Sequence, residues 1–260
     1  MSELVRTIED RAAAVEAFDR DGYVVLRSFM TQEQIDQINQ RIDSLIERAA
    51  ELEGIGAFYE RAGDRSSIMR LQHMEQFDDV LAGLYQGEQL RALAGAMLAT
   101  PSHPTSLEWF GKPPRIGGPT PPHQDGFYFQ LQPSEALTFW LSLDRADQGN
   151  GCVRYVPGSH KGGFRPHAIS EVIGFSRGIT DYGDADYAAE RAIETAPGDM
   201  IVHHCDIIHR ADANESDRSR PALGMVFYAD RAQKVETAEH AEVNEQAEQA
   251  MARWKAEGRA

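Results

Sequence analysis

The chain has 260 residues, 42% of them hydrophobic, which is enough for one sizeable core in a single domain. Its formal charge of −15 disfavours nucleic acid and anionic membrane surfaces as partners. No apolar run approaches the ~20 residues of a bilayer crossing, the stretch from Met1 to Glu16 lacks a signal-peptide core, and two cysteines are too few for a disulfide framework; a cytoplasmic protein acting on a small molecule is the expectation.

Residues 7–20 have helical composition and stop at Asp21-Gly22. The β-branched run from Gly22 to Ser28 reads as a strand. Thr31-Gln32-Glu33-Gln34 has the capping-box pattern, in which the Thr31 hydroxyl and the Gln34 side chain satisfy free N–H groups at a helix start. Ile35, Ile38, Ile42, Leu45 and Ile46 follow at helical spacing and form a core-facing stripe. Two more helices are expected between Phe77 and Ala99, closed by Thr100-Pro101. Residues 1–100 therefore read as a helical support region with one strand.

After Pro101 the texture changes to short strand-like runs: Leu107–Phe110, Phe127–Leu131, Ala136–Leu143, Cys152–Val156, Met200–Ile208 and Ala222–Tyr228. Turn signals separate them, among them Asn150-Gly151, which favours a type I′ hairpin, and Pro197-Gly198-Asp199. This pattern predicts a mainly β fold with flanking helices: a double-stranded β-helix (jelly roll, cupin-like) over 101–230. The insert at 161–192 contains Gly162, Gly163, Gly174, Gly178 and Gly183 and mixes Arg165, His167 and Arg177 with Asp181 and Tyr182. It reads either as a lid whose Arg177 and Tyr182 bind a hydroxyl-rich substrate or as a solvated excursion. Residues 231–260 are charged and read as a C-terminal helix or tail.

The chemistry concentrates in His123-Gln124-Asp125 and in the distant His209 and Arg220. Two histidines and a carboxylate can occupy three adjoining positions on a ferrous ion and leave the opposite face open. An arginine at a set distance from them suits a dicarboxylate such as 2-oxoglutarate. Strand alternation puts His123 and Asp125 on one side. It also groups His203, Cys205, Ile207 and His209, with His204, Asp206 and Ile208 opposite. Zinc on His203, His204 and Cys205 is an alternative, though thiolate zinc sites normally bring more cysteines.

The string of motifs resembles the phytanoyl-CoA dioxygenase family of iron(II)/2-oxoglutarate oxygenases. The matching text is Lys112-Pro113-Pro114, Pro122-His123-Gln124-Asp125, Gly149-Asn150-Gly151-Cys152, Val156-Pro157-Gly158-Ser159-His160-Lys161-Gly162, Pro197-Gly198-Asp199, and His209-Arg210-Ala211 with Arg220 beyond it. The resemblance implies His123, Asp125 and His209 as ligands of iron(II), Fe(2+), with Arg220 as the salt-bridge partner of the distal carboxylate of 2-oxoglutarate. It further implies Trp140 as an aromatic wall of that pocket and Arg70 as an auxiliary co-substrate contact. Where some relatives carry a hydroxyl after the last histidine this chain has Ala211, which leaves Thr138 as another hydroxyl for the co-substrate. Glu108 replaces an apolar residue of some relatives. Facing inward it would favour a polar or cationic substrate; facing outward it is surface charge.

The resemblance thus implies a dioxygenase that consumes O2 and 2-oxoglutarate, releases succinate and CO2, and hydroxylates or cyclises a small polar metabolite or a glycosylated natural product of secondary metabolism. Asp125 distinguishes it from related halogenases, which lack the carboxylate. A non-catalytic or non-redox cupin-like metal-binding protein, sensor or isomerase, is the alternative, but it has no use for Arg220.

Overall fold

The computed structural model of the chain describes residues 8–170, 172, 177–235 and 238–258. Gly174 of the insert, and residue 7 of the first expected helix, lie outside them. Among the described residues the α-helices are α1 (Ile8–Asp21), α2 (Gln32–Arg48), α3 (Asp79–Tyr85), α4 (Glu88–Met97), α5 (Asp125–Phe129), α6 (Asp184–Ala189) and α7 (Ala238–Ala256). The main antiparallel sheet runs, in spatial order, β1 (Tyr23–Leu26), β12 (Met200–His204), β7 (Ala136–Ser142), β14 (Ala222–Ala229), β4 (Ser102–Phe110), β3 (Ile68–Gln72) and β2 (Gly56–Tyr59). The smaller sheet is β11 (Arg191–Ala192), β8 (Val153–Tyr155), β13 (His209–Ala211) and β5 (Thr120–His123). Two short ladders complete it: β9 (His167–Ile169) with β10 (Arg177–Ile179), and β6 (Leu131–Gln132) with β15 (Gln233–Lys234).

Alternation along the strands sorts the main sheet into two faces. Leu71, Leu107, Leu137, Phe139, Met225 and Phe227 pack against the helices in the largest core cluster. The Thr31 capping box is present, with Thr31 Oγ1 accepting from Gln34 N at 3.3 Å and Gln34 Oε1 accepting from Thr31 N at 2.9 Å. Ile35, Ile38, Ile42 and Leu45 are buried in that same core, with Ile46 packed at its edge. The opposite face carries Gln72, Glu108, Trp140, Thr138 and His203 in neighbouring registers. It looks across to the smaller sheet, and Val153 and Tyr155 of β8 meet Ile201 in a second cluster between them. The fold is therefore a jelly roll backed by helices, with a pocket between its sheets.

Four local expectations change. Residues 1–100 hold three strands rather than one, because β2 and β3 extend the main sheet beyond β4. The aromatic run Phe127–Leu131 is helix α5 followed by a two-residue strand: Gly126 N bonds Cys205 O at 2.8 Å and Phe127 N turns back to Gln124 O at 3.1 Å. Tertiary ties there override the β propensity of the side chains. Asn150-Gly151 is not a type I′ hairpin. Asp147 caps a single 3-10 turn, Gln148–Asn150, and of the pair Gly151 alone has positive φ, +78°. A Cβ at Gly151 would sit 2.4 Å from Asp212 O. Finally, β12 ends at His204 and β13 starts at His209 in the other sheet, so the even alternation drawn from Met200 to His209 is broken by a turn.

Candidate active site

A cavity of about 330 Å³ opens between the sheets, and the predicted cluster lies on its wall. His123 ends β5 and is paired in register with His209, the first residue of β13. Asp125 follows one residue after β5 as the first residue of α5, so the turn into that short helix, not strand alternation, brings its carboxylate back. Asp125 Oδ1 is 3.4 Å from His123 Nε2 and 3.7 Å from His209 Nε2. One donor atom from each of the three lies within 4.8 Å of the others, a spacing that could hold a metal ion.

The donor chemistry fits iron(II). His123 Nδ1 lies 2.8 Å from Pro121 O and His209 Nδ1 lies 3.1 Å from Ile207 O, which turns both Nε2 atoms toward the shared point. Burial, aided by His123, pushes His209 down to about 3, so its imidazole is neutral and able to ligate. Burial alone would raise the Asp125 carboxyl, but the imidazoles of His209, His123 and His203 outweigh it and hold it well below the usual carboxylate range. At neutral pH the set therefore includes a neutral His209 nitrogen and an anionic carboxylate.

Arg220 lies just before β14 and is 5% exposed. Its guanidinium carbon is 5.3 Å from the centre of the Trp140 ring, which Phe110 supports from 5.1 Å. Its Nε and Nη1 are buried and bonded to nothing. Burial pushes the group down only to about 10, so it keeps its charge at neutral pH. A buried cation with two idle donors beside a metal-ready triad is built to receive an anion. Lys112, which the sequence marked only as part of a motif, flanks it. Burial and the charge of Arg220 push its amine down to about 7, and its Nζ donates to Gly118 O at 2.6 Å and Asp212 O at 2.5 Å.

The other expected residues divide. Trp140 and Thr138 both line the cavity. Thr138 Oγ1, however, donates to Asp125 Oδ2 at 3.3 Å, so its bond goes to the carboxylate of the triad. Arg70 and Glu108 both face the cavity but hold one another: Arg70 Nε donates to Glu108 Oε2 at 2.6 Å, and Gln72 Nε2 reaches Glu108 Oε1 at 3.3 Å. Glu108 therefore points inward, as one of its two readings required, yet its charge is matched by Arg70. Selection for a cationic substrate loses its basis.

Arg177 and Tyr182 are not on the cavity wall. Arg177 is buried against Gln246 of α7 and the Phe127 ring, and Tyr182 donates to Glu190 Oε2 at 2.6 Å. Glu190 in turn pairs with Arg210, next to His209. These two side chains anchor the insert against β13 and α7, and among the described residues of the insert Val172 lines the cavity. Sequence reasoning missed the far wall, Met251 and Trp254 of α7. Trp254 is 5% exposed and packs on Phe58 beside Met69. A lone Trp in a charged tail was the available signal. Tyr155 was given no role, and His203 was read only as a ligand of the alternative zinc site.

A search of protein families matches residues 18–222 to the model described as phytanoyl-CoA dioxygenase (PhyH). The chain belongs to the phytanoyl-CoA dioxygenase family. Among curated relatives, phytanoyl-CoA dioxygenase 1 of Oryza sativa subsp. japonica is 27% identical over 242 residues, covering 80% of this chain and 85% of its own. EvdO2 from Micromonospora carbonacea var. aurantiaca, solved with 2-oxoglutarate, superposes with a TM-score of 0.68 at 26% identity over 90% of this chain and 95% of its own. The epimerase SnoN from nogalamycin biosynthesis has the same fold, TM-score 0.70 at 20% identity over 89% and 88% of the two chains. As a member of this family the protein is a 2-oxoglutarate-dependent oxygenase that uses iron, with a cupin-like jelly roll as its scaffold. No helix among the described residues is long and apolar enough to cross a membrane.

Proposed function

We propose that His123, Asp125 and His209 bind the iron, that Arg220 with Trp140 beneath it binds the distal carboxylate of 2-oxoglutarate, and that the enzyme oxidises an amphipathic natural product. The observation that carries this reading is Arg220: a buried guanidinium whose Nε and Nη1 lack partners, opening into the cavity that contains the triad. When bound, the iron and 2-oxoglutarate supply the oxidising power, with succinate and CO2 as by-products. The chain's own part is to hold both groups, exclude water and orient one C–H bond of the substrate.

The wall supports the substrate class. Phe58, Phe110, Phe129, Trp254, Met69 and Met251 give it an apolar, largely aromatic surface, with the neutralised Arg70–Glu108–Gln72 cluster as a polar patch. Such a wall suits a ring-rich body carrying hydroxyl or sugar groups better than a small, wholly polar metabolite. SnoN, with the same fold, is known in complex with Fe3+, alpha ketoglutarate and nogalamycin RO. Hydroxylation and ring closure both remain within this reading, which extends to a cytoplasmic setting: Cys152 and Cys205 are buried and unpaired. Purified protein loaded anaerobically with iron(II) is expected to form succinate from 2-oxoglutarate, and hydroxylated or glycosylated polycyclic compounds should stimulate it. No 2-oxoglutarate turnover with any loading would refute the proposal. Stimulation by small polar acids alone would refute the substrate class.

A further inference from the structure

Three histidines surround Asp125, and their outer nitrogens tell them apart. His123 and His209 each direct Nδ1 at a backbone carbonyl, Pro121 O and Ile207 O. A carbonyl only accepts, so each Nδ1 carries a proton, and with a metal bound each Nε2 would give it a lone pair; until then His123 Nε2 faces Asp125 Oδ1 at 3.4 Å. His203 is wired the other way. Its Nε2 is 3.2 Å from Asp125 Oδ2, and its Nδ1 is 3.0 Å from the hydroxyl of the fully buried Tyr155. An ionised carboxylate also only accepts, so here Nε2 carries the proton and Nδ1 accepts from the tyrosine. Thr138, cross-strand neighbour of His203 in the β12–β7 ladder, donates to the same Oδ2.

Resting on the iron ligation proposed above, we infer that His203 is a positioning residue: backed by Tyr155 and joined by Thr138, it holds the outer oxygen of Asp125 so that the carboxylate meets the metal through Oδ1 alone. The consequence is chemical. A carboxylate that swung both oxygens onto the metal would occupy a position that co-substrate and dioxygen need. The clamp spans the two sheets, since His203 and Thr138 belong to the main sheet and Tyr155 to the smaller one. It also assigns opposite tautomers to histidines whose rings lie only 5.0 Å apart, His203 and His209.

The test uses the full chain and reads metal affinity and ring protonation, not turnover. Ring ¹⁵N shifts of the metal-free protein are expected to show His203 protonated on Nε2 and His209 on Nδ1. In anaerobic titration with iron(II), His203→Phe is expected to lose about ten- to a hundredfold in affinity, the usual cost of removing such a partner. His203→Gln, whose amide N–H can reach Oδ2, should recover most of that loss, which a general packing defect would not predict. Tyr155→Phe should give a smaller loss together with mixed His203 tautomers. Nδ1 protonation of His203 in the unmodified protein would overturn the inference without any variant having to fold. So would undiminished iron affinity in His203→Phe, or three imidazoles at the iron by X-ray absorption. Unmodified protein that binds no iron would instead overturn the proposed function itself.

Discussion

Arg220→Leu tests the co-substrate site most directly, because the structure fixes what is lost. Arg220 lines the cavity, and its buried Nε and Nη1 have no partner among the described residues. A hydrogen bond to a charged group contributes about 1.5–3 kcal/mol, and about 1.4 kcal/mol is a tenfold change in affinity. Affinity for 2-oxoglutarate should therefore fall about ten- to a hundredfold. Iron affinity should be nearly unchanged, since Arg220 bonds none of the three ligands. The ligand-free protein gives a second reading. An unpaired buried cation is costly to the fold, so the variant's melting temperature without ligand should hold or rise. The stabilisation by 2-oxoglutarate seen in the unmodified protein should shrink. Titration calorimetry with Mn(II) as a non-turnover metal, alongside thermal melts, measures both. Unchanged 2-oxoglutarate affinity would refute the reasoning. The anchor would then have to be Arg218 or Arg70, although the first pairs with Asp147 and the second with Glu108.

Asp125→Ala removes the only anion of the triad and should abolish tight iron binding in an anaerobic titration; retained binding would break the ligand assignment. Trp254→Ala opens the wall built by α7 and should raise the apparent substrate constant and the uncoupled decay of 2-oxoglutarate, while iron and 2-oxoglutarate affinities stay put, which substrate-dependent kinetics will check. His204 is pushed down to about 4 by burial and by the nearby His160 and His203, and its Nδ1 accepts from Asp206 N. The unfolded chain then binds the proton more readily than the folded one between the ordinary histidine value of about 6.5 and 4. That contribution to stability is present above 6.5 and is lost as pH falls through 4. His204→Leu should accordingly lose less melting temperature than the unmodified protein when melts at pH 7 and pH 4.5 are compared.

Local signals were legible where the physics is local. The Thr31 capping box and the isoleucine stripe of α2 depend on a few neighbouring residues, and both stand as read. The spacing of His123, Asp125, His209 and Arg220 pointed to one site because those side-chain types have few other uses in combination. What escaped depends on distant partners. Phe127–Leu131 has strand-forming side chains but turns helical because Cys205 O takes the Gly126 amide. Arg177 and Tyr182 have substrate-binding chemistry, yet Gln246 and Glu190 occupy them first. His203 and His209 look like members of one alternating strand. Each ring's role is set by what lies behind it, Tyr155 or the Ile207 carbonyl, and no spacing rule encodes that.

The pairing of His123 with His209 across β5 and β13 also bears on how the chain folds. These residues are distant in sequence, and they meet only when β5 and β13 pair within the smaller sheet. A chain in which those strands are unpaired thus lacks the proposed metal site, and long-range contacts of this kind slow the approach to the native state. Iron bound by the proposed triad would draw the folded form out of the unfolding equilibrium. On the proposed ligation, the ion that serves chemistry would also fasten this long-range pairing, and the metal-free polypeptide should be the less durable form.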